Sequence, residues 1–482
     1  MPFDENEPLF TDEDPQYRDT PLTSSIPPPS LATLPRIIRN PRGRSNHNSG
    51  QQPYPQQPPP QQQLPPSAPV PPPPPPAFVQ QTQQEAQKPA VDLIARHLSV
   101  INNTHGPSFV EQLSSSKWSR MMSVQEGPGG RQVDGRLCDP KLLQSIGLVK
   151  TSLSLSRVQI AHVSDNIGPY AAVLQSSTLK NASAVTLGHL DYLLQPVREY
   201  IKAGKLLRYV DLGSVGCGYS NYIRWKVDQQ KDCSGSRGWY FASGALDSST
   251  SSFDGENKLD LFEAAGGILD PADIKAFVTR VRDSADDGHN GVDLVVGELG
   301  SGHGGSIDAE TQHYGYTIAQ AVIALRVLRR GGTFVFKAFE ATTPLSAELL
   351  FLIHACFERV AIVRSFVSSP ISSERFVVCN HLIADPTWVA AHLLSALTKM
   401  HANQYQISHL VSWTQLSGEK QFIEQLLHSN MAIGRMQIQA LNAVAAHREK
   451  QQSSDASGYS EHQIKVANMC LRHWGLPTAS NQ

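Results

Sequence analysis

The stretch TIAQAVIALRVLRRGGTFVFKAFEATTPLSAELLFLIHACF, residues 317–357, changes its periodicity twice. Apolar residues recur at helical spacing as far as Gly331 and Gly332, which predicts a helix that ends at a glycine C-cap. The strand TFVFKAF follows, and Pro344 predicts the start of a second helix, because proline is tolerated in a first helical turn. This order of elements indicates an α/β fold. The strand also contains Lys337, a charged residue in an apolar setting.

The same alternation of strands and helices continues on both sides of this stretch. RYVDLGSVGCGYSNYIRWK (208–226) predicts a strand, a glycine-rich turn and a helix, and GVDLVVGELGSG (291–302) predicts a strand and a second glycine-rich turn. On the C-terminal side, RVAIVRSF (359–366) and ERFVVCNHLI (374–383) predict two more strands. Strands that alternate with helices predict a Rossmann-like, doubly wound and mostly parallel sheet.

The composition of the chain changes near residue 90. Residues 1–90 contain 24 of the 34 prolines and many glutamines, and so few apolar residues that burial cannot offset the entropy of ordering them. We therefore expect a disordered Pro/Gln-rich tail, which is either a docking site for a Pro-binding domain or a solvated tail. Beyond it we expect an irregular or helical lead-in (91–170), an α/β domain (171–385) and a C-terminal helical extension (386–482).

Charge and composition exclude several classes of protein. The chain has 41 Lys and Arg against 43 Asp and Glu, so a nucleic-acid site must be a local patch. No apolar run approaches about 18 residues and the N-terminus is acidic, so we expect an intracellular protein, in the nucleus or cytoplasm, without a membrane segment. The six cysteines form no C-x-x-C pair, and His303 and His313 lack a third ligand at suitable spacing, so we expect neither disulfides nor a metal site.

Candidate site residues lie where predicted strands end. Ligands of doubly wound sheets bind beyond the carboxyl ends of the strands. The candidates there are Asp211, Gly213, Gly216, Gly218, Glu298, Lys337 and Glu374. Each also has a plain structural interpretation: the glycines as a simple connection, Lys337 as a lysine that extends from an edge strand to solvent, and Glu374 as a solvated turn residue.

Several of these segments together resemble the FtsJ (RrmJ-type) superfamily of S-adenosylmethionine-dependent RNA 2′-O-methyltransferases, and most closely the cap-specific mRNA enzymes. The resemblance runs from about 170 to 450 and is strongest in the F-K-x-F strand, the T-P-x-S helix start, the C-F-E-R-V turn and the segment S-x-P-x-x-S-E-R-F-V-V-C. It implies methyl transfer from S-adenosylmethionine to a ribose 2′-hydroxyl of RNA, at the cap-proximal nucleotide of mRNA.

The family's Lys-Asp-Lys-Glu tetrad can be carried over to this sequence position by position. Its second lysine matches Lys337 and its glutamate matches Glu374. Glu298 stands where the family has aspartate, and the extra methylene displaces the carboxylate by about 1 Å. Thr186 stands where the family has its first lysine, and Lys180 is six residues earlier, roughly 120° away around a helix.

The family's cofactor loop, D-x-x-x-x-P-G-G-[FW], matches DLGSVGCGY. Asp211 and Gly218 are retained, while the proline and one glycine of the pair are replaced. The resemblance implies that this loop, with Glu298, contacts S-adenosylmethionine. Gly267 occupies a position where the family often has an aspartate for the adenine. Two functions therefore stay open: an active RNA 2′-O-methyltransferase, or a catalytically degenerate FtsJ-fold protein that acts as an RNA- or partner-binding module.

Overall fold

The computed structural model describes residues 96–114, 124–126, 132–153, 168–201, 204–230, 233–242, 257–284, 291–298, 309–402, 407–450 and 459–479. The predicted Pro/Gln-rich tail, its Pro-binding site and His303 lie outside these residues. Within them, no helix has the length and apolar character needed to cross a membrane.

Ten strands are present in the described residues, and a single large sheet contains eight of them. The strands are β1 (His97–Asn102), β2 (Gln125–Glu126), β3 (Leu207–Leu212), β4 (Ser236–Ala242), β5 (Asn257–Glu263), β6 (Val292–Gly297), β7 (Leu328–Ala338), β8 (Phe357–Arg364), β9 (Arg375–Leu382) and β10 (Ile407–His409).

Thirteen α-helices accompany them in the described part of the chain. They are α1 (Phe109–Ser114), α2 (Pro140–Ser152), α3 (Val173–Ser176), α4 (Ala182–Leu194), α5 (Arg198–Ile201), α6 (Gly218–Asp228), α7 (Pro271–Ser284), α8 (Ala309–Val327), α9 (Pro344–Cys356), α10 (Thr387–Ala402), α11 (Trp413–Leu416), α12 (Lys420–Lys450) and α13 (Glu461–Trp474).

The large sheet has the strand order β1-β8-β9-β7-β6-β3-β4-β5. Strands β3 to β7 are parallel, β9 is antiparallel to both β7 and β8, and β1 is antiparallel to β8. The predicted α/β class with a mostly parallel sheet is therefore confirmed. Strand β1 comes from the predicted lead-in segment, which contributes an edge strand to this sheet as well as short helices.

The strand order reverses between β3 and β6, and this reversal places the helices. Strand β3 continues through α6 to β4, whereas β6 continues through α8 to β7 in the opposite direction along the sheet. Because such crossovers are right-handed, α6 and α8 cover opposite faces. Helix α8 packs with α7, α9 and α10, and helix α6 packs with α4, which in turn contacts α13. The switch point between β3 and β6 is where ligands bind in such folds.

The predicted glycine C-cap at Gly331 is wrong. Helix α8 ends at Val327, and β7 already begins at Leu328. The pairing with β6 is irregular here, because Val292 lies opposite Leu328 and Leu294 lies opposite Thr333. Gly331 takes up the extra residues of this bulge with a φ of 76°. Pairing with the neighbouring strand, which local periodicity does not report, decides the boundary.

Candidate active site

Lys337 and Glu298 meet beyond the carboxyl ends of two neighbouring parallel strands. Lys337 is the second-last residue of β7, and Glu298 directly follows β6, where its amide still donates to the carbonyl of Leu212 in β3. The Lys337 Nζ lies 3.0 Å from Glu298 Oε1, and their side chains are 8% and 14% exposed. A lysine buried to this degree needs an opposite charge, and Glu298 provides it. Lys337 is therefore in a buried ion pair. The alternative in which it extends from an edge strand to solvent does not hold.

The other oxygen of Glu298 is held by a residue that the sequence did not single out. The Ser183 hydroxyl donates to Glu298 Oε2 at 2.5 Å. Ser183 lies in the first turn of α4, a helix whose N-cap is Asn181, and the Asn181 side chain accepts a hydrogen bond from the amide of Ala184. Asparagine before an apolar helix is an N-cap signal, which could have located this turn but not its contact with Glu298.

Glu374 lies on the same side of the sheet as Lys337. In the antiparallel β7/β9 pair Lys337 lies opposite Phe376, so Glu374, two residues earlier, is on the face of Lys337. Its carboxylate accepts a hydrogen bond of 2.7 Å from the Ser368 hydroxyl. Within the described residues no direct ion pair joins Lys337 and Glu374. Glu374 thus lies on the face of the lysine, with its carboxylate hydrogen-bonded to Ser368 and near the positive charge of Arg364.

The loop that holds Glu374 is organised by one buried arginine. Arg364, the last residue of β8, is fully buried and donates to the carbonyls of Ser369, Pro370 and Glu374. Burial lowers the pKa of Arg364 to about 9, an effect reinforced by the nearby positive charge of Arg96. Three carbonyl acceptors fix the course of residues 369–374, so the position of Glu374 depends on Arg364.

The carboxylate of Asp211 is hydrogen-bonded within the turn between β3 and α6, which is the candidate cofactor loop. It is fully buried at the end of β3 and accepts hydrogen bonds from the backbone amides and the hydroxyls of both Ser214 and Ser220. Burial raises the pKa of Asp211 to about 6, while these four hydrogen bonds act in the opposite direction. Within the described residues its role is therefore to fasten the turn between β3 and α6. The predicted contact of Asp211 with a cofactor stays a prediction.

The glycines of this loop are needed for two different reasons. Gly213 and Gly216 have φ values of 74° and 57°, which favour glycine. Cys217 has a similar φ of 51° although it carries a side chain. Gly218 is closed in by a neighbour, since a Cβ there would lie 2.1 Å from Asn181 Oδ1. The conformation of Cys217 is strained, and strained backbone is often found at functional sites.

A buried hydroxyl lies between the acidic residues of the site. Tyr219 is fully buried, and within the described chain its hydroxyl makes no hydrogen bond of ordinary geometry. Burial raises the pKa of Tyr219 well above its usual value, and the carboxylates of Glu298, Asp211 and Glu374 reinforce the effect. The sequence offered one signal for this residue, because it stands where the family's cofactor loop has Phe or Trp.

The remaining sequence candidates are placed elsewhere. Thr186 is buried in α4 and makes no hydrogen bond to Glu298 within the described chain. Lys180 is exposed, with a φ of 47°, just before the N-cap of α4. Gly267, with a φ of 80°, precedes α7, and no atom lies within 4 Å of the Cβ position there. Across the residues that the structure describes, no cluster of three or more His, Cys, Asp or Glu side chains could hold a metal ion.

Comparisons of the sequence with known proteins find similarity to methyltransferases. Residues 193–382 match the model of the FtsJ-like methyltransferase family. The chain is 26% identical over 366 residues to the cap-specific mRNA (nucleoside-2′-O-)-methyltransferase 1 of Ailuropoda melanoleuca, covering 70% of this chain and 42% of that protein. The protein of the same name from Xenopus laevis is 28% identical over 290 residues, covering 57% and 33%.

The chain spans less than half the length of the curated relatives that it matches. Among solved structures, MnmC2 from Aquifex aeolicus gives a TM-score of 0.27 at 13% identity, with coverage of 52% of this chain and 76% of that one. The family match includes β3, β6, β7 and β9, which carry or flank Asp211, Glu298, Lys337 and Glu374. Residues 193–382 are therefore similar to an FtsJ-like methyltransferase domain.

Proposed function

We propose that the chain is an RNA ribose 2′-O-methyltransferase that acts on the cap-proximal nucleotide of mRNA with S-adenosylmethionine as methyl donor. The observation that supports this most is the buried Lys337–Glu298 ion pair beyond the carboxyl ends of β6 and β7, with Glu374 on the same face. Lys337 and Glu298, which match two positions of the family's tetrad, lie far apart in the sequence and in contact in the fold. The names of the curated relatives supply the substrate class.

The residues beside the switch point suit the proposed cofactor. The turn after β3 has the positive φ values that let a backbone approach a ligand closely, and the buried Tyr219 hydroxyl lies near Glu298 without a hydrogen bond of ordinary geometry in the described chain. The residues that would hold the cofactor are those of the 213–218 turn, with Glu298. When bound, S-adenosylmethionine supplies an electrophilic methyl group.

Lys337 suits the chemistry at a ribose hydroxyl. Its ammonium has three N–H donors, and one of them is directed to Glu298. Another could donate to the 2′-oxygen and stabilise its negative charge while the oxygen–methyl bond forms, the methyl–sulfur bond breaks with its electrons kept on sulfur, and the hydroxyl proton passes to water. Glu298 keeps the ammonium in place, and Glu374 adds a second negative charge on the same face. In this scheme Lys337 acts through its charge.

A degenerate, RNA-binding protein is the competing function, and two features favour it. No lysine stands at position 186, and the carboxylate that pairs with Lys337 belongs to a glutamate, which is one methylene longer than aspartate. A transfer assay separates the two functions directly. A partner for the Pro-rich tail, and a nuclear or cytoplasmic location suited to mRNA, remain predictions of the sequence.

The test is tritium transfer from labelled S-adenosylmethionine to a capped oligonucleotide, followed by nuclease digestion to locate the methyl group. Lys337→Ala should lower the rate by about 100-fold or more, with RNA affinity little changed. Lys399→Ala removes an exposed lysine in α10 and serves as the matched control. An uncapped oligonucleotide of the same sequence tests the dependence on the cap.

Rebuilding the family's tetrad gives a second test in the same assay. Thr186→Lys together with Glu298→Asp should raise the rate above that of the natural chain, because position 186 lies one turn after Ser183, which contacts Glu298, and position 298 already pairs with Lys337. The pair must be combined, since residues that act as a unit are not additive. Transfer that is equal with and without Lys337 would exclude it from the mechanism. No transfer by the natural chain, with tight RNA binding, would establish the binding module instead.

A further inference from the structure

Both carboxylate oxygens of Glu298 are occupied, and by residues of different kinds. Lys337 donates to Oε1 at 3.0 Å, and the Ser183 hydroxyl donates to Oε2 at 2.5 Å. Thr186, which matches the family's first lysine, makes neither contact. The donor to Glu298 Oε2 is thus a neutral hydroxyl, that of Ser183, which lies three residues before Thr186 in α4.

The position of Ser183 adds an electrostatic contribution to this hydrogen bond. Ser183 is the second residue of α4, a helix of 13 residues whose N-cap is Asn181. The partial positive charge at a helix N-terminus stabilises an adjacent carboxylate. The first turn of α4 therefore offers Glu298 a hydroxyl donor and a favourable field at once.

The cofactor-loop candidate is packed against the same turn. Gly218 lies so close that a Cβ there would be 2.8 Å from Ser183 Cβ as well as 2.1 Å from Asn181 Oδ1. The Cβ of Ser183 is therefore fixed in its helix and packed against the loop. A side chain fixed from two sides can define the position of the group to which it donates.

We propose that Ser183 is a positioning residue, which holds Glu298 by Oε2 so that Oε1 keeps the Lys337 ammonium directed at the substrate oxygen. The hydroxyl and the α4 terminus provide at Glu298 the stabilisation that a cation at position 186 does not. This inference rests on the proposed function for its catalytic consequence. The holding of Glu298 by Ser183 can be measured without any reaction.

The kinetic test compares Ser183→Ala and Ser183→Thr with the natural full-length chain. Loss of a hydrogen bond to a charged group should lower single-turnover methyl transfer by about 10- to 100-fold. The affinity for S-adenosylmethionine, measured by calorimetry, should fall by less than the rate does, because Glu298 is only one of the residues proposed to hold the cofactor, whereas the direction of the Lys337 ammonium depends on it. Ser183→Thr keeps a hydroxyl donor and should restore most of the rate.

Ser99→Ala is the matched control. Ser99 is also buried and donates one side-chain hydrogen bond, to Gln425, but it lies in the edge strand β1. Ser99→Ala should transfer at the natural rate. A Ser183→Ala rate equal to that of this control would overturn the proposal. So would a loss of cofactor affinity as large as the loss of rate, since that would indicate general damage to the site.

A double-mutant cycle in thermal unfolding tests whether Ser183 holds Glu298 without measuring activity. The melting temperatures of Ser183→Ala, Glu298→Gln and the double variant are compared with that of the natural chain. If Ser183 holds Glu298, the double variant should lose clearly less than the sum of the two single losses. Additive losses would overturn the proposal. If the natural chain transfers no methyl group, the proposed function fails and this cycle alone decides whether Ser183 holds Glu298.

Discussion

Gly218 shows how closely the residues of the site depend on each other. A glycine in this turn would allow a ligand to approach the backbone closely, but the space beside its Cα is already occupied by Asn181 and Ser183. Asn181 caps the helix whose first turn holds Glu298. A side chain at 218 would therefore act first on the α4 N-cap, and through it on the Lys337–Glu298 pair.

Gly218→Ala should accordingly destabilise the protein by about 1–2 kcal/mol, the cost of losing an N-cap. Gly147→Ala is the matched control, because no atom lies within 4 Å of its Cβ position and it sits inside helix α2. That change should stabilise by about 0.5–1 kcal/mol. Urea unfolding measures both. Equal behaviour of the two variants would show that the contact with Asn181 is unimportant.

At the scale of elements, helix α4 is buried almost throughout. Nearly all of its residues from Ser183 to Leu193 are buried, so other elements cover it on every side. One of those elements is α13, far along the chain. Trp474 of α13 is fully buried and stacks on His189, with ring centroids 4.2 Å apart, while Leu476 fills the space beside Gly188. The C-terminal helix thus supports the helix that carries Ser183.

Trp474→Ala should therefore lower the free energy of unfolding by about 3–5 kcal/mol, the usual cost of removing a buried tryptophan. Met469→Ala removes a 43% exposed side chain from the same helix and should change the free energy of unfolding by less than about 0.5 kcal/mol. Urea unfolding followed by circular dichroism tests both. A small effect at Trp474 would mean that α13 contributes little to the packing of α4.

At the scale of the whole molecule, the core encloses groups that resist protonation. Burial lowers the pKa of His97 to about 4, and the positive charges of Arg375, His428 and Arg364 add to the effect. Burial also lowers the pKa of His354 to about 4. Asp211 opposes them, since its pKa is raised to about 6. The acid stability of the fold therefore reflects a balance between these groups.

His97 should make the protein less stable in acid. Between pH 6.5 and about 4 the unfolded chain binds a proton at His97 that the folded chain does not, so stability is complete above pH 6.5 and falls as the pH falls. His97→Gln should lose less stability between pH 7 and pH 4.5 than the natural chain does. Urea unfolding at several pH values measures the difference, and parallel curves for the two proteins would contradict the assignment.

The parts of the fold that the sequence predicts are those in which local pattern and tertiary structure agree. Helix α9 begins at Pro344 and β9 falls within its predicted run, because the spacing of apolar residues and the proline mark them. Strand β8 overlaps its predicted run but begins two residues earlier, at Phe357. Ser183 could not be predicted, since its contact with Glu298 joins residues 115 positions apart. The prediction that the helix ends at Gly331 was wrong for the same reason, because pairing with β6 sets the start of β7.

The docking of α13 on α4 also has a consequence for synthesis. Leu194, the last residue of α4, and Trp474 are 280 residues apart. At a synthesis rate of 5–20 residues per second, Trp474 is translated about 15–60 s after α4 is complete. During that time the apolar surface around Gly188 and His189 lacks its cover. A nascent chain is therefore expected to need chaperones at this surface, and ribosome-bound chains halted before Trp474 should be more sensitive to protease at α4 than released ones.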